Sequence, residues 1–193
     1  MIDNIGAAHL EAVRCMHRSV LLRGALRIGA LFLLLSVASC RGEMAGIPAG
    51  SSEAIRAYLV QRNSVTSKGG EVFCAFEPLA EMRRCGDKND VYLWVLCQEY
   101  YLDGEAIQEG TGSSLPMPLT LEARGSTYTV LESRVPGEVA QSTELVHEYF
   151  PRSAWRKIIP QTAQDSEEHN ARVERLQSQV HDQAVVAMTG RSK

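Results

Sequence analysis

The run VYLWVLCQEYYL, residues 91–102, decides the fold class. Valine, leucine, tyrosine and tryptophan fill it, at odd and even positions alike, so neither side of a strand built from it is suited to water. Such a strand belongs in the middle of a sheet that is covered on both sides for part of its length. Directly after it stands Asp103-Gly104, the turn dipeptide of a two-residue hairpin. Residues 105–109 are therefore expected to return antiparallel to it.

Upstream, EVFCAFEPL (71–79) makes a second strand. Downstream, residues 118–123 and 127–135 bracket Arg124-Gly125-Ser126, a second hairpin, and Pro136-Gly137 stops the sheet. Between the hairpins, Gly110-Thr111-Gly112-Ser113-Ser114 reads as a flexible loop or bulge. It lacks the Gly-Lys-Ser/Thr ending of a phosphate-binding loop, and no Gly-x-Ser-x-Gly nucleophile turn occurs.

Helices flank these strands. Ser51 or Ser52 caps one that ends near Asn63, with Glu53 in the first turn and Ile55, Tyr58 and Leu59 on one face. Ser142 or Thr143 opens a short one carrying Leu145, Val146, Tyr149 and Phe150, ended by Pro151; a further turn covers 154–159. After a polar linker at 161–168, Ser166 caps a helix over 167–188 whose apolar stripe is Val173, Leu176, Val180 and Ala184. The stripe is thin, so this helix either docks weakly or takes a partner. The expected architecture is α+β: an N-terminal helix packed on a curved antiparallel sheet of four to five strands, a short helix after the sheet, and a C-terminal helix. That order resembles the cystatin and nuclear-transport-factor-like class, whose members differ widely in function.

Charge narrows the partners. The chain has 20 Lys and Arg against 23 Asp and Glu; four arginines and two acids precede Cys40, which leaves −5 from Cys40 onward. No basic run exceeds Arg83-Arg84. Phosphate contacts need clustered cations, so nucleic acid is excluded as a partner, and the overall balance disfavours direct adsorption to anionic lipid.

The N-terminus carries an address. MHRSVLLRGALR (16–27) holds three arginines and no acid, and IGALFLLLSVAS (28–39) is twelve residues without a charge. A positive segment, a short apolar segment and small residues before a cut form a secretory signal peptide. Twelve helical residues span about 18 Å, less than the ~30 Å bilayer core. Val37-Ala38-Ser39-Cys40 then resembles the lipobox of bacterial lipoproteins. That resemblance implies a diacylglycerol on the Cys40 sulfur, cleavage before it, and an acylated amino terminus such as a palmitate, with two or three chains giving stable attachment. Arg41 at the next position implies the outer membrane, facing the periplasm, where the host has two membranes. Asp3 and Glu11 do not fit a signal, which places the true start at Met16. The organisation is then a signal peptide at 1–39, a lipidated tether at 40–50, an α+β domain at 51–160, and a linker with the C-terminal helix at 161–193. Residues 91–150 also resemble a family of bacterial proteins, many of them exported, that has no established activity. The resemblance rests on VYLWVLCQEYYL, GTGSSLP, the strand pair after it, and RVPG before a short helix ending in Phe-Pro.

Candidate chemistry is sparse. An exported domain permits disulfides; Cys74 and Cys97 fall nearly opposite each other if the intervening loop is symmetric, and Cys74 with Cys85 is the alternative pair. Either leaves one thiol over. Glu77 and Glu99 are the carboxylate pair that could share a cleft, where like charge raises one pKa and permits acid–base work. Tyr92, Trp94, Tyr100 and Tyr101 are expected to occupy both sides of the strand, one side core and the other a groove for an apolar or peptide ligand. His147-Glu148 begins a zinc-protease pattern that Pro151 interrupts, and His169 and His181 lie about 120° apart around a helix; no metal site and no cofactor are expected, and these histidines read as solvated. The leading function is a non-enzymatic, membrane-anchored envelope lipoprotein that binds an envelope protein or peptide. The alternative is a small hydrolase- or isomerase-like enzyme with Glu77 or Glu99 as base in a sheet cavity.

Overall fold

The central strand takes the place its sequence requires. In the computed structural model, which describes residues 46–64, 66–133 and 142–190, the strand runs Lys88–Asp103 and is labelled β3. β1 is Glu71–Pro78, β2 Arg83–Cys85, β4 Ala106–Arg124 and β5 Thr127–Ser133. All pairing is antiparallel, in the order β1-β3-β4-β5, with β2 also on β3. Among the described residues, four helices accompany the sheet: α1 Ser52–Arg62 before it, then α2 Thr143–Tyr149, α3 Trp155–Ile158 and α4 Ala163–Thr189, with a 3-10 turn Arg152–Ala154 ahead of α3. The protein is an α+β fold built on an open antiparallel sheet. The signal, the start at Met16, Cys40, residues 41–45 and the Pro136-Gly137 stop lie outside the described residues.

Alternation along β3 sends its two sets of side chains to two cores. Val91, Leu93, Val95 and Cys97 meet Ile55 and Leu59 of α1, together with Met117, Leu119 and Leu121 of β4. Tyr92, Trp94, Leu96 and Tyr100 meet Val146 and Phe150, Ile158 of α3, and Leu176, Val180, Ala184 and Met188 of α4. Ile55 and Leu59, four apart, are both fully buried, and each contributes about 1.5–3 kcal/mol through the area it removes from water. Ser51 stands at the start of α1 but does not cap it with its side chain; its hydroxyl donates to the Pro48 carbonyl.

Two expectations need correction. The Gly110–Ser114 segment is not a loop, because β4 runs unbroken for 19 residues through it and through Pro116 and Pro118. Both prolines fit for a geometric reason. The Tyr92 carbonyl accepts from Leu79 N–H on the β1 side, so Tyr92 turns its hydrogen-bonding groups away from β4. Its pair with Pro118 is therefore a non-hydrogen-bonded one, as is that of Trp94 with Pro116, and a missing N–H costs nothing there. Pairing with β5 starts only at Leu119.

The last helix begins at Ala163, within the expected linker, and docks along its length. Thr162 and Asp165 form a reciprocal capping box, which displaces Ser166 as the cap. Its buried side is Arg172, Leu176, Val180, Ala184 and Met188, laid against β1 and β3.

Candidate functional site

The candidate residues divide between the two sides of the sheet. On the α1 side, Cys74 and Cys97 are paired residues of β1 and β3, with Cα atoms 4.2 Å apart, and are joined by a disulfide. Counting pairs from Leu79–Tyr92 makes theirs a non-hydrogen-bonded pair, the kind in which opposed Cα atoms come closest. Cys85, the alternative partner for Cys74, takes no part in this bond.

Beside Cys97 a cleft of about 180 Å³ opens, lined by Arg62, Asn63, Val72, Thr111, Gly112 and Ser113. Asn63, just past the end of α1, donates its side-chain amide to the Leu59 carbonyl at 2.8 Å and to the Cys97 sulfur at 3.4 Å. The Ser113 hydroxyl donates to Asn63 Oδ1 at 3.4 Å. The cleft is thus a small polar notch whose floor is a half-cystine. Sequence reasoning did not find it, since Asn63 gave only a helix-end signal.

Next to the notch lies Glu99, 1% exposed and fully engaged. Its Oε1 accepts from the backbone N–H of Lys68 (2.8 Å) and Gly70 (3.0 Å), and its Oε2 from the N–H of Ser67 (3.0 Å) and Thr111 (2.9 Å) and from the Ser67 hydroxyl (3.1 Å). Burial raises the pKa of this carboxyl, but four backbone donors outweigh it and hold the value at about 2. The carboxylate is an internal brace that ties the loop after α1 to β4.

That brace explains the Gly-Thr-Gly motif. Opposite Glu99, β4 carries one extra residue, Gly110-Thr111, a β-bulge between the Gln98–Gly112 and Tyr100–Glu109 pairs. A Cβ on Gly110 would collide with the Glu99 carboxylate, and one on Gly112 with the Gln98 amide. Gln98 Nε2 also donates to the Gly110 carbonyl at 2.9 Å. The glycines make room for neighbouring side chains, and no phosphate cradle is needed to account for them.

On the other side of the sheet, Glu77 does not meet Glu99. It receives Arg175 through two bonds of 2.9 Å, while Arg172 Nε lies 3.7 Å away. Burial pulls the Arg172 pKa down, against the pull of Glu77 upward. The shared carboxylate cleft is therefore absent: Glu77 pairs with Trp94, five residues from Glu99 on β3, and alternation along that strand puts the two acids on opposite faces.

The aromatic groove is corrected in the same way. Tyr92, Trp94 and Tyr100 all point to the helical side, where α2, α3 and α4 bury them to 9%, 6% and 2% exposure. Tyr101 is half-buried and does not join them. Trp94 Nε1 donates to the Ser114 hydroxyl at 2.9 Å, and Tyr92 packs on Phe150. Burial, then the charge of Glu109, push the Tyr100 phenol up to about 12. Of the histidines, only half-buried His169 departs from the solvated reading, meeting Trp94 edge to face at 4.6 Å; His181 and His147 are exposed, the first lying against Tyr100 and the second stacking on Trp155 at 3.8 Å. Among the described residues no group of three His, Cys, Asp or Glu side chains could hold a metal ion, and no helix is long and apolar enough to cross a membrane.

Comparison with protein-family models, curated proteins and solved structures finds no match to this chain.

Proposed function

We propose that the protein is a membrane-anchored envelope lipoprotein whose folded domain is a non-enzymatic binding module. The observation that carries this reading is the sequence Val37-Ala38-Ser39-Cys40 closing a charge-free apolar segment behind three arginines. The Cys74–Cys97 disulfide supports it, since such a bond inside a core persists in oxidising compartments such as the periplasm. Lipid on Cys40 is the membrane partner; an envelope protein or peptide is the second. The enzymatic alternative loses its bases: Glu99 stays ionised down to about pH 2 with its oxygens filled, and Glu77 is clamped by arginine.

The test is Cys40→Ser in cells fed labelled palmitate. The native protein should incorporate label and sediment with membranes, and the variant should do neither. Equal labelling of the two would overturn the lipoprotein reading.

A further inference from the structure

We infer that the outer edge of β4 at residues 112–115 takes an extended peptide as an added strand, with one acidic side chain of that peptide entering the notch at Asn63. The inference rests on the reading of the domain as a binding module. Parity along the strand is its first ground. Trp94–Pro116 and Tyr92–Pro118 are non-hydrogen-bonded pairs, and alternation makes Leu96–Ser114 and Gln98–Gly112 such pairs too. Ser114 and Gly112 therefore turn their N–H and C=O groups away from β3. Among the described residues no strand pairs with β4 on that side before Leu119. Gly112 and Ser114 are both exposed, so their donors and acceptors face open space at strand spacing. The window is short. Pro116 and Pro118 have no N–H to give, and at the other end the bulge turns the Thr111 N–H to Glu99. Prolines and bulges guard an edge against long sheet-to-sheet pairing, and here they leave room for a brief strand.

The notch then selects the occupant. Ser113 stands between the two exposed residues, with its side chain on the α1 side against Asn63. A peptide residue opposite Ser113 points to that same side and extends over the notch, while its two neighbours bond to Gly112 and Ser114. The cleft of about 180 Å³ has room for one side chain. Arg62 lines it with its charge exposed, donating at 3.4 Å to the Tyr58 hydroxyl rather than to an acid. Thr111, also exposed, adds a hydroxyl. Glu99, next to the notch, has both oxygens filled by donors from Ser67, Lys68, Gly70 and Thr111. A glutamate is long enough to reach across Ser113 and pair with the guanidinium. A lysine or arginine in its place would meet Arg62 with like charge.

The test titrates the mature lipidated protein in detergent micelles with an end-blocked pentapeptide, Thr-Val-Glu-Val-Thr, and with its counterpart carrying Gln for Glu. Amide hydrogen exchange at Gly112 and Ser114 should slow about ten-fold when the site is about nine-tenths occupied, and residues 127–133 should not change. The Gln peptide should bind about three- to five-fold more weakly, the effect of one exposed ion pair. Methylating the backbone nitrogens of both valines should abolish binding. Arg62→Ala should lower the affinity for the Glu peptide to that for the Gln peptide and leave the latter unchanged. Slow exchange at Gly112 and Ser114 before any peptide is added means that the edge is already covered, and overturns the site. Binding that survives methylation overturns the added strand, and equal affinity for the two peptides overturns the acid in the notch. No binding of either peptide overturns the site, whereas the lipoprotein reading stands or falls separately on palmitate labelling at Cys40.

Discussion

The two sides of the sheet solve the same burial problem with different chemistry. Under α1 the core is aliphatic and crosslinked: Ile55, Leu59, Val91, Leu93 and Leu119 around the Cys74–Cys97 bond. Under α2, α3 and α4 it is aromatic and threaded with polar links, such as Trp94 to Ser114, Lys157 to the Leu79 carbonyl, and Arg172 beside Glu77. A short helix carrying two large apolar side chains can seat closely on branched residues. A 27-residue helix with a polar outer surface needs large rings to reach it, and rings with polar tips bring hydrogen bonds along. Alternation along one strand is enough to specify both.

Neighbouring residues of β3 offer the strongest test of that contrast. Trp94→Ala should cost about 3–5 kcal/mol and Leu93→Ala about 2–5, measured by urea unfolding. Trp94→Ala should also loosen α4, seen as faster hydrogen exchange at 176–184, whereas Leu93→Ala should leave that helix protected. Equal loosening of α4 by both would mean that the two cores act as one.

Replacing Cys74 and Cys97 together by alanine removes a crosslink with a sequence separation of 23 residues. The expected loss is about 3 kcal/mol, confined to the α1 side in exchange measurements. An unchanged unfolding midpoint would contradict it.

Acid should release the brace at Glu99. The folded pKa of Glu99 is depressed from 4.5 to about 2, so its contribution to stability is complete above about pH 4.5 and is lost as pH falls towards 2. Glu99→Gln should flatten the pH dependence of stability in that window and lower stability at neutral pH. A variant whose acid profile overlays the native one would show that the brace is not formed.

The smallest effect is reserved for Arg175→Ala. Its side chain is 55% exposed, and exposed ion pairs contribute under about 1 kcal/mol. Glu77→Ala should cost more, because it leaves the buried Arg172 without its counter-charge. The reverse order would mean that Arg172 is held by its bond to the Lys157 carbonyl.

Much of this was legible in the sequence, and the failures have physical causes. Residues 91–102 announced a strand covered on both sides, and Asp103-Gly104 and Arg124-Gly125 marked both hairpins. The single-sided placement of Tyr92, Trp94 and Tyr100 was legible too, since all three are even-numbered; aromatic density obscured the parity. Thr162 and Asp165 carried the cap of α4, but with aspartate in place of the usual glutamate or glutamine. The Gly110–Ser114 strand was hidden because its glycines answer to Glu99 and Gln98, more than ten residues away. The notch at Asn63 depends on four separate segments meeting, which no local pattern encodes.

The long β3–β4 ribbon faces an alignment problem that Pro116, Pro118 and the bulge settle between them. Two strands of 16 and 19 residues can zip together at many offsets. An offset of one would turn every side chain over and bring the prolines, with no hydrogen to give, into positions where β3 carbonyls require a donor. An offset of two keeps the sides and spares the prolines, but it sets Gln108 against Glu99 in one direction and Ser114 against Gln98 in the other, so that a Cβ enters space that only a glycine leaves open. Proline thus checks parity and the glycine bulge checks position, so that a hairpin of this length closes in a single frame.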